Sequence, residues 1–214
     1  MLTALLASVL NVQHLLPALI AQYGSLVYGG LFLVIFIETG VVILPFLPGD
    51  SLLFLSGSLA ALSTHSLNHL VLILLLSVAA IAGDSLNFEI GKRFGHHLKN
   101  PRWQKLIKPK RLEQASNFYQ RYGSLAIFLG RFMPIIRTLI PFTAGISKMP
   151  YRKFILFNVL GGVSWVTVAV LSGYLFGNIP GVQTHFELIM MAIVVISLVP
   201  AAILAIRSRR PKIN

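Results

Sequence analysis

Two arginines, Arg131 and Arg137, stand inside the apolar stretch GRFMPIIRTLIPFTAG. At membrane depth each guanidinium costs roughly 2.5–3.5 kcal/mol on insertion scales, so it is kept only where it is used or compensated. Guanidinium groups bind phosphate through paired N–H donors, and a broken helix adds the backbone donors of its N-terminus. The pair is therefore a candidate site for an anionic headgroup. The two lie six residues apart, with Pro134 between them. A continuous helix would not put them on one face, but a kink at Pro134 brings both to one cavity. The alternative is that they snorkel to an interface or pair with internal carboxylates.

The acids are as sparse as the internal cations. Glu38 lies in LVIFIETGVVILP. An unpaired carboxylate there is desolvated and tends to hold a proton, which makes Glu38 a candidate proton carrier; the other reading is an ion pair with Arg131 or Arg137. Asp50 follows the Pro48-Gly49 break in PFLPGDSLLFL. It is either the N-cap of the next helix, a role open to Ser51 as well, or an acid at a half-helix terminus facing a cavity. Asp84 and Asn87, in AIAGDSLNFEIGKRFG, are secondary candidates one helical turn apart and face one groove. Glu89 is read as a partner of Lys92 or Arg93, and Trp165 as packing. Gly83, Gly161, Gly162 and Gly173 are read as close-packing positions between helices.

Composition says what kind of structure must position these groups. The chain is 56% hydrophobic and only 11% charged, with a mean hydropathy of +0.79. That is an integral membrane protein, all-α, in a single membrane domain. With no Cys there are no disulfides or thiolate metal sites. No HExxH motif or Ser-His-Asp spacing appears among the six His and six acids, so neither an enzyme nor a metal or cofactor site is expected. The net charge of +12 is not a nucleic-acid signature. No Lys or Arg precedes Lys92, and all but Arg131 and Arg137 cluster at Lys92 to Arg121, Lys148 to Lys153 and Arg207 to Lys212, flanking apolar blocks. Such clusters mark cytoplasmic segments and contacts with anionic lipid.

The charge rule then sets a topology. An interfacial amphipathic helix is expected over 1–25, with a first span as the other option. A Pro/Gly-broken block over 26–62 is a re-entrant hairpin, and 70–90 is a transmembrane helix ending inside. Residues 91–123 form a cytoplasmic basic loop. Block 124–147 has basic clusters on both sides, so it enters and leaves on one face as a second re-entrant hairpin. Spans follow at 154–176 and 186–206, with a cytoplasmic tail at 207–214. Each half is one hairpin plus one span, which inverts the second unit relative to the first. Tyr23-Gly24-Ser25-Leu26 recurs as Tyr122-Gly123-Ser124-Leu125, and Glu38 precedes Pro48 by the spacing that separates Arg131 from Pro141. Both echoes fit such an inverted repeat.

Taken together, Glu38-Thr39-Gly40, Pro45-Phe46-Leu47-Pro48-Gly49-Asp50-Ser51, Gly83-Asp84, Gly91-Lys92-Arg93-Phe94-Gly95 and Gly130-Arg131-Phe132 through Pro134, Arg137-Thr138, Pro141 and Ala144-Gly145 resemble the DedA family. The resemblance covers nearly the whole chain. It implies a bacterial inner-membrane protein with two inverted re-entrant hairpins, related to VTT-domain lipid scramblases. It also implies movement of undecaprenyl phosphate or phospholipid across the bilayer, dependent on the proton motive force and supporting envelope integrity. The family's membrane-embedded acids fall on Glu38 and Asp50, and its paired arginines on Arg131 and Arg137. The expected function is a lipid-phosphate translocase with lipid and protons as partners, the question of a homo-oligomer being open. The alternatives are a proton-coupled transporter of a small soluble ion or drug, and a non-transporting assembly factor.

Overall fold

The computed structural model describes residues 24–41, 49–61, 67–94, 109–133, 136–177 and 179. Among these, every regular element is an α-helix: α1 Leu26–Gly40, α2 Gly49–Ala61, α3 His69–Phe94, α4 Pro109–Tyr122, α5 Leu125–Gly130, α6 Leu139–Ile146 and α7 Tyr151–Gly177. The expected N-terminal interfacial helix, apart from its last two residues, lies outside the described residues. So do the final span, Trp103, and the breaks at Pro45, Pro48 and Pro134.

Helix length separates two kinds of element. α3 and α7 have 26 and 27 residues, enough at 1.5 Å per residue to cross about 30 Å of hydrocarbon. Leu70, Leu74 and Val78 on α3, and Leu156, Val163 and Val168 on α7, are large, apolar and exposed, as on a lipid-facing surface. α1 and α2 have 15 and 13 residues and are too short to span alone. α5 and α6 are shorter again. α4 occupies the segment expected as a basic loop. Its Leu112, Ala115, Phe118 and Tyr119 recur at helical spacing and face the core, while Glu113, Gln114 and Asn117 are exposed.

The chain divides into two compact units. Of the described residues, the first takes in 24–27, 49–61, 67–72, 169–177 and 179. In it α2 packs against the end of α7. A Cβ at Gly57 would run into the carbonyl of Val170, and one at Gly173 into the carbonyl of Phe54. Ser58 Oγ donates to Gly173 O at 2.9 Å, and the Phe54 and Phe176 rings lie 5.7 Å apart.

The second unit takes in residues 28–47 and 73–168. Here α6 packs against the end of α3 in the same manner. A Cβ at Gly91 would run into the carbonyl of Phe142, and one at Gly145 into the carbonyl of Phe88. In both units a glycine follows its helix's own contact residue by three positions, and the two helices exchange these contacts reciprocally. Phe88, Phe154, Ile140, Phe142, Ala126 and Ile127 form the unit's core, with the Phe88 and Phe154 rings stacked at 4.4 Å.

Local backbone follows the sequence echo. Gly24 and Gly123 adopt φ of +51° and +57°, a left-handed turn that glycine enters without the steric cost of a Cβ. Each turn opens a helix, with Val27 N donating to Gly24 O at 3.3 Å and Ala126 N to Gly123 O at 3.1 Å. Lys148, φ +53°, closes α6 just beyond its C-cap Ser147, and Met149 N reaches back to Ala144 O at 3.1 Å in a Schellman closure.

Candidate functional site

The break between α5 and α6 supplies both arginines. α5 ends in i→i−3 hydrogen bonds from Arg131, Phe132 and Met133, which tighten its last turn and leave Arg131 as its cap. Arg137 lies in the turn that leads into α6, with Arg137 N bonded to Met133 O at 3.0 Å. The two side chains therefore leave a broken segment, and each meets a different carboxylate.

Arg131 Nη2 is ion-paired with Asp84 Oδ2 of α3. The same nitrogen approaches Asn158 Oδ1 of α7 at 3.3 Å and Ala80 O at 3.4 Å. Arg131 and Asp84 are both buried, at 6% exposure. Arg137 Nη2 is ion-paired with Glu38 Oε1 of α1. Glu38 is 1% exposed. Both guanidiniums stand over the indole of Trp165, with their central carbons 5.6 Å (Arg131) and 5.1 Å (Arg137) from the ring centroid. Within hydrogen-bond reach, Glu38 Oε2, Arg131 Nη1 and Asn87 Oδ1 are buried without a partner among the described residues.

Asn87 explains how the second pair is held. Its amide donates to Thr39 O at 3.2 Å and to Thr138 O at 2.6 Å. Thr39 follows Glu38 and Thr138 follows Arg137, so one amide ties together the backbones that carry the ion pair. Close helix contact makes this reach possible: a Cβ at Gly83 would strike Thr39 and Phe36. Thr39 Oγ1 is itself satisfied by Ile35 O at 2.9 Å.

The structure thus gathers Arg131, Arg137, Glu38, Asp84 and Asn87 within one unit. Asp50 belongs to the other unit. α2 begins at Gly49, so Asp50 sits exposed in the first turn rather than at the N-cap; there an acid complements the positive end of the helix dipole. Glu89 pairs with Lys92 at 3.5 Å and Arg93 at 3.4 Å, as read from the sequence. Trp165, read as packing alone, lies against both arginines. Its spacing of seven residues from Asn158 was the available signal.

Beside this cluster, Ser85, Leu86, Glu89, Ile90, Arg93 and Tyr151 line an open cavity of about 660 Å³. Polar groups lead to it from the ion pairs: Asn158 Nδ2 lies 3.4 Å from Ser85 Oγ, and so does Tyr151 Oη.

Residues 47–175 match the VTT domain. The chain is 44% identical over 202 residues to Protein DedA of Escherichia coli K12, covering 94% of this chain and 92% of that protein. It is 38% identical over 192 residues to an uncharacterized membrane protein of Mycobacterium tuberculosis H37Rv (90% and 84% covered). It is 37% identical over 182 residues to inner membrane protein YghB of E. coli K12 (84% and 82% covered). No solved structure matches the chain.

Proposed function

Because the chain belongs to the DedA family of VTT-domain membrane proteins, we propose that it moves a phosphate-bearing lipid, undecaprenyl phosphate or a phospholipid, across the bacterial inner membrane, driven by protons. The observation that carries this reading is the double closure of the site. Two guanidiniums, fitted for phosphate oxygens, are each occupied by a buried carboxylate from another helix.

A phosphate entering the site competes with Glu38 for Arg137 and with Asp84 for Arg131. A carboxylate that loses its cation in a dry interior is more stable as the neutral acid. Proton uptake then accompanies headgroup binding: the guanidinium exchanges one anion for another, and the released carboxylate binds a proton. When the headgroup leaves, the ion pair re-forms and the proton departs. Glu38 is the leading proton carrier. Asp50, in the first turn of α2, is the second acid of the pathway. The lipid tail stays in the bilayer throughout, since only the headgroup needs a polar path.

The architecture proposed is an inverted repeat of hairpin plus span, with segments 91–123 and 207–214 cytoplasmic. The paired left-handed turns at Gly24 and Gly123 and the reciprocal glycine contacts support it. The pairing of all four charges also suits a second reading, a static network in a non-transporting assembly factor. Charge-swapped pairs separate the two: a static network tolerates Glu38→Arg with Arg137→Glu, and a phosphate site does not.

The test is headgroup translocation in proteoliposomes, with labelled undecaprenyl phosphate and a labelled phospholipid, with and without an imposed pH gradient. Gradient-driven movement of one lipid, lost in Arg137→Ala, is expected. Movement of neither lipid refutes the proposal.

A further inference from the structure

One face of α7 receives both arginines. Asn158, Gly161, Gly162 and Trp165 fall at positions i, i+3, i+4 and i+7, a single stripe along an α-helix. The two glycines open the stripe. A Cβ at Gly161 would stand 3.3 Å from the Phe128 backbone, and one at Gly162 3.3 Å from Arg131 Nη1 and 2.9 Å from Ile81. Asn158, 1% exposed, accepts from Arg131 Nη2 at 3.3 Å and donates to Ile81 O at 3.0 Å. Trp165, 7% exposed, lies beneath both guanidiniums.

Two like charges on one ring repel, so the arrangement needs a reason. An aromatic face attracts a cation through the ring quadrupole and takes up none of the N–H donors of the guanidinium. Arg131 and Arg137 can therefore rest on the indole and still present their donors to a carboxylate or to phosphate oxygens. A carboxylate used for the same purpose would occupy those donors.

We propose that Trp165 is a positioning residue of the site, its indole holding both guanidiniums in place while their acidic partners give way to the phosphate oxygens of a headgroup. This rests on the reading of Arg131 and Arg137 as the phosphate-binding pair. The property required is the aromatic face, not bulk, so Trp165→Phe and Trp165→Leu should diverge.

The chain has two tryptophans, and Trp103→Phe leaves Trp165 as the only indole. In the full-length Trp103→Phe protein in detergent, Arg131→Gln and Arg137→Gln should each shift the emission of Trp165, because each removes a charge beside the ring. In proteoliposomes carrying the labelled lipids, Trp165→Phe should transport within a few-fold of the parent. Trp165→Leu should fall by about tenfold or more, the factor implied by losing two cation–π contacts, with the thermal midpoints of the two variants alike. Emission unmoved by both arginine substitutions overturns the proposal. So does transport by Trp165→Leu at the parent rate. A parent protein that moves neither lipid, with emission still responding to the arginines, strikes the functional reading and leaves the hold of Trp165 on the arginines standing.

Discussion

Replacing Arg137 by Gln tests whether the buried charges are coupled. Glu38 has a side chain 1% exposed, against 13% for Arg137. Its second oxygen has no partner among the described residues, so the guanidinium carries most of its compensation. Arg137→Gln leaves that carboxylate buried beside an amide, and breaking such a pair from one side costs about 3–5 kcal/mol. Glu38→Gln should cost less, because the arginine it strands is the more exposed partner and still rests on Trp165. The double variant removes both charges and should recover about 2 kcal/mol relative to the sum of the single changes, within the usual range for residues in contact. Unfolding of the purified protein in detergent, followed by tryptophan emission, measures all four members of the cycle. If the double variant equals the sum of the singles within about 0.5 kcal/mol, the coupling is absent and the reasoning fails.

Four further predictions concern the scaffold. Gly57→Ala, with its Cβ driven into the Val170 carbonyl, should lose about 1–3 kcal/mol. Gly29→Ala, in a helix with nothing within 4 Å of the new carbon, should gain up to about 1 kcal/mol; the opposite signs are read from thermal midpoints. Lys148→Gly should stabilise by about 1 kcal/mol, because a non-glycine residue now occupies the left-handed closure of α6. Glu89→Gln should change stability by less than about 1 kcal/mol, since its pairs with Lys92 and Arg93 are exposed to solvent.

Charge placement made much of this site legible before any coordinates. Arg131, Arg137 and Glu38 stand out because a charge within an apolar run demands a reason, and that demand needs no tertiary structure. Their pairing did not follow. Glu38 and Arg137 are 99 residues apart, and Asp84 and Arg131 are 47 apart, so only the packing of α1 and α3 against the broken segment decides which acid meets which base. Asn87 was placed in a groove, but its role as a clamp depends on two backbone carbonyls, which no side-chain pattern reveals. Trp165 looked like packing because an aromatic in an apolar helix normally is. The helix α4 was hidden by its charge: the basic residues that led 91–123 to be read as a cytoplasmic loop masked the apolar spacing of Leu112, Ala115, Phe118 and Tyr119. Asp50 was displaced by a single turn position, since α2 starts at Gly49 and not after it.

The exchange of glycine contacts also sets the order in which the chain can be completed. α2 packs on the end of α7, and the hydrogen bond between them joins residues 115 positions apart. During synthesis α2 is made long before its partner exists, and its contact with α7 must wait while α3 to α6 are made. Closure of the α2–α7 contact is a late, long-range event, of the kind that slows folding. A nascent chain stalled before α7 holds Arg131, Arg137, Glu38 and Asp84 but lacks the indole and the asparagine that receive the arginines. Such a chain leaves its arginines without the side chains that receive them, an incompletely packed intermediate of the kind in which larger chains go astray.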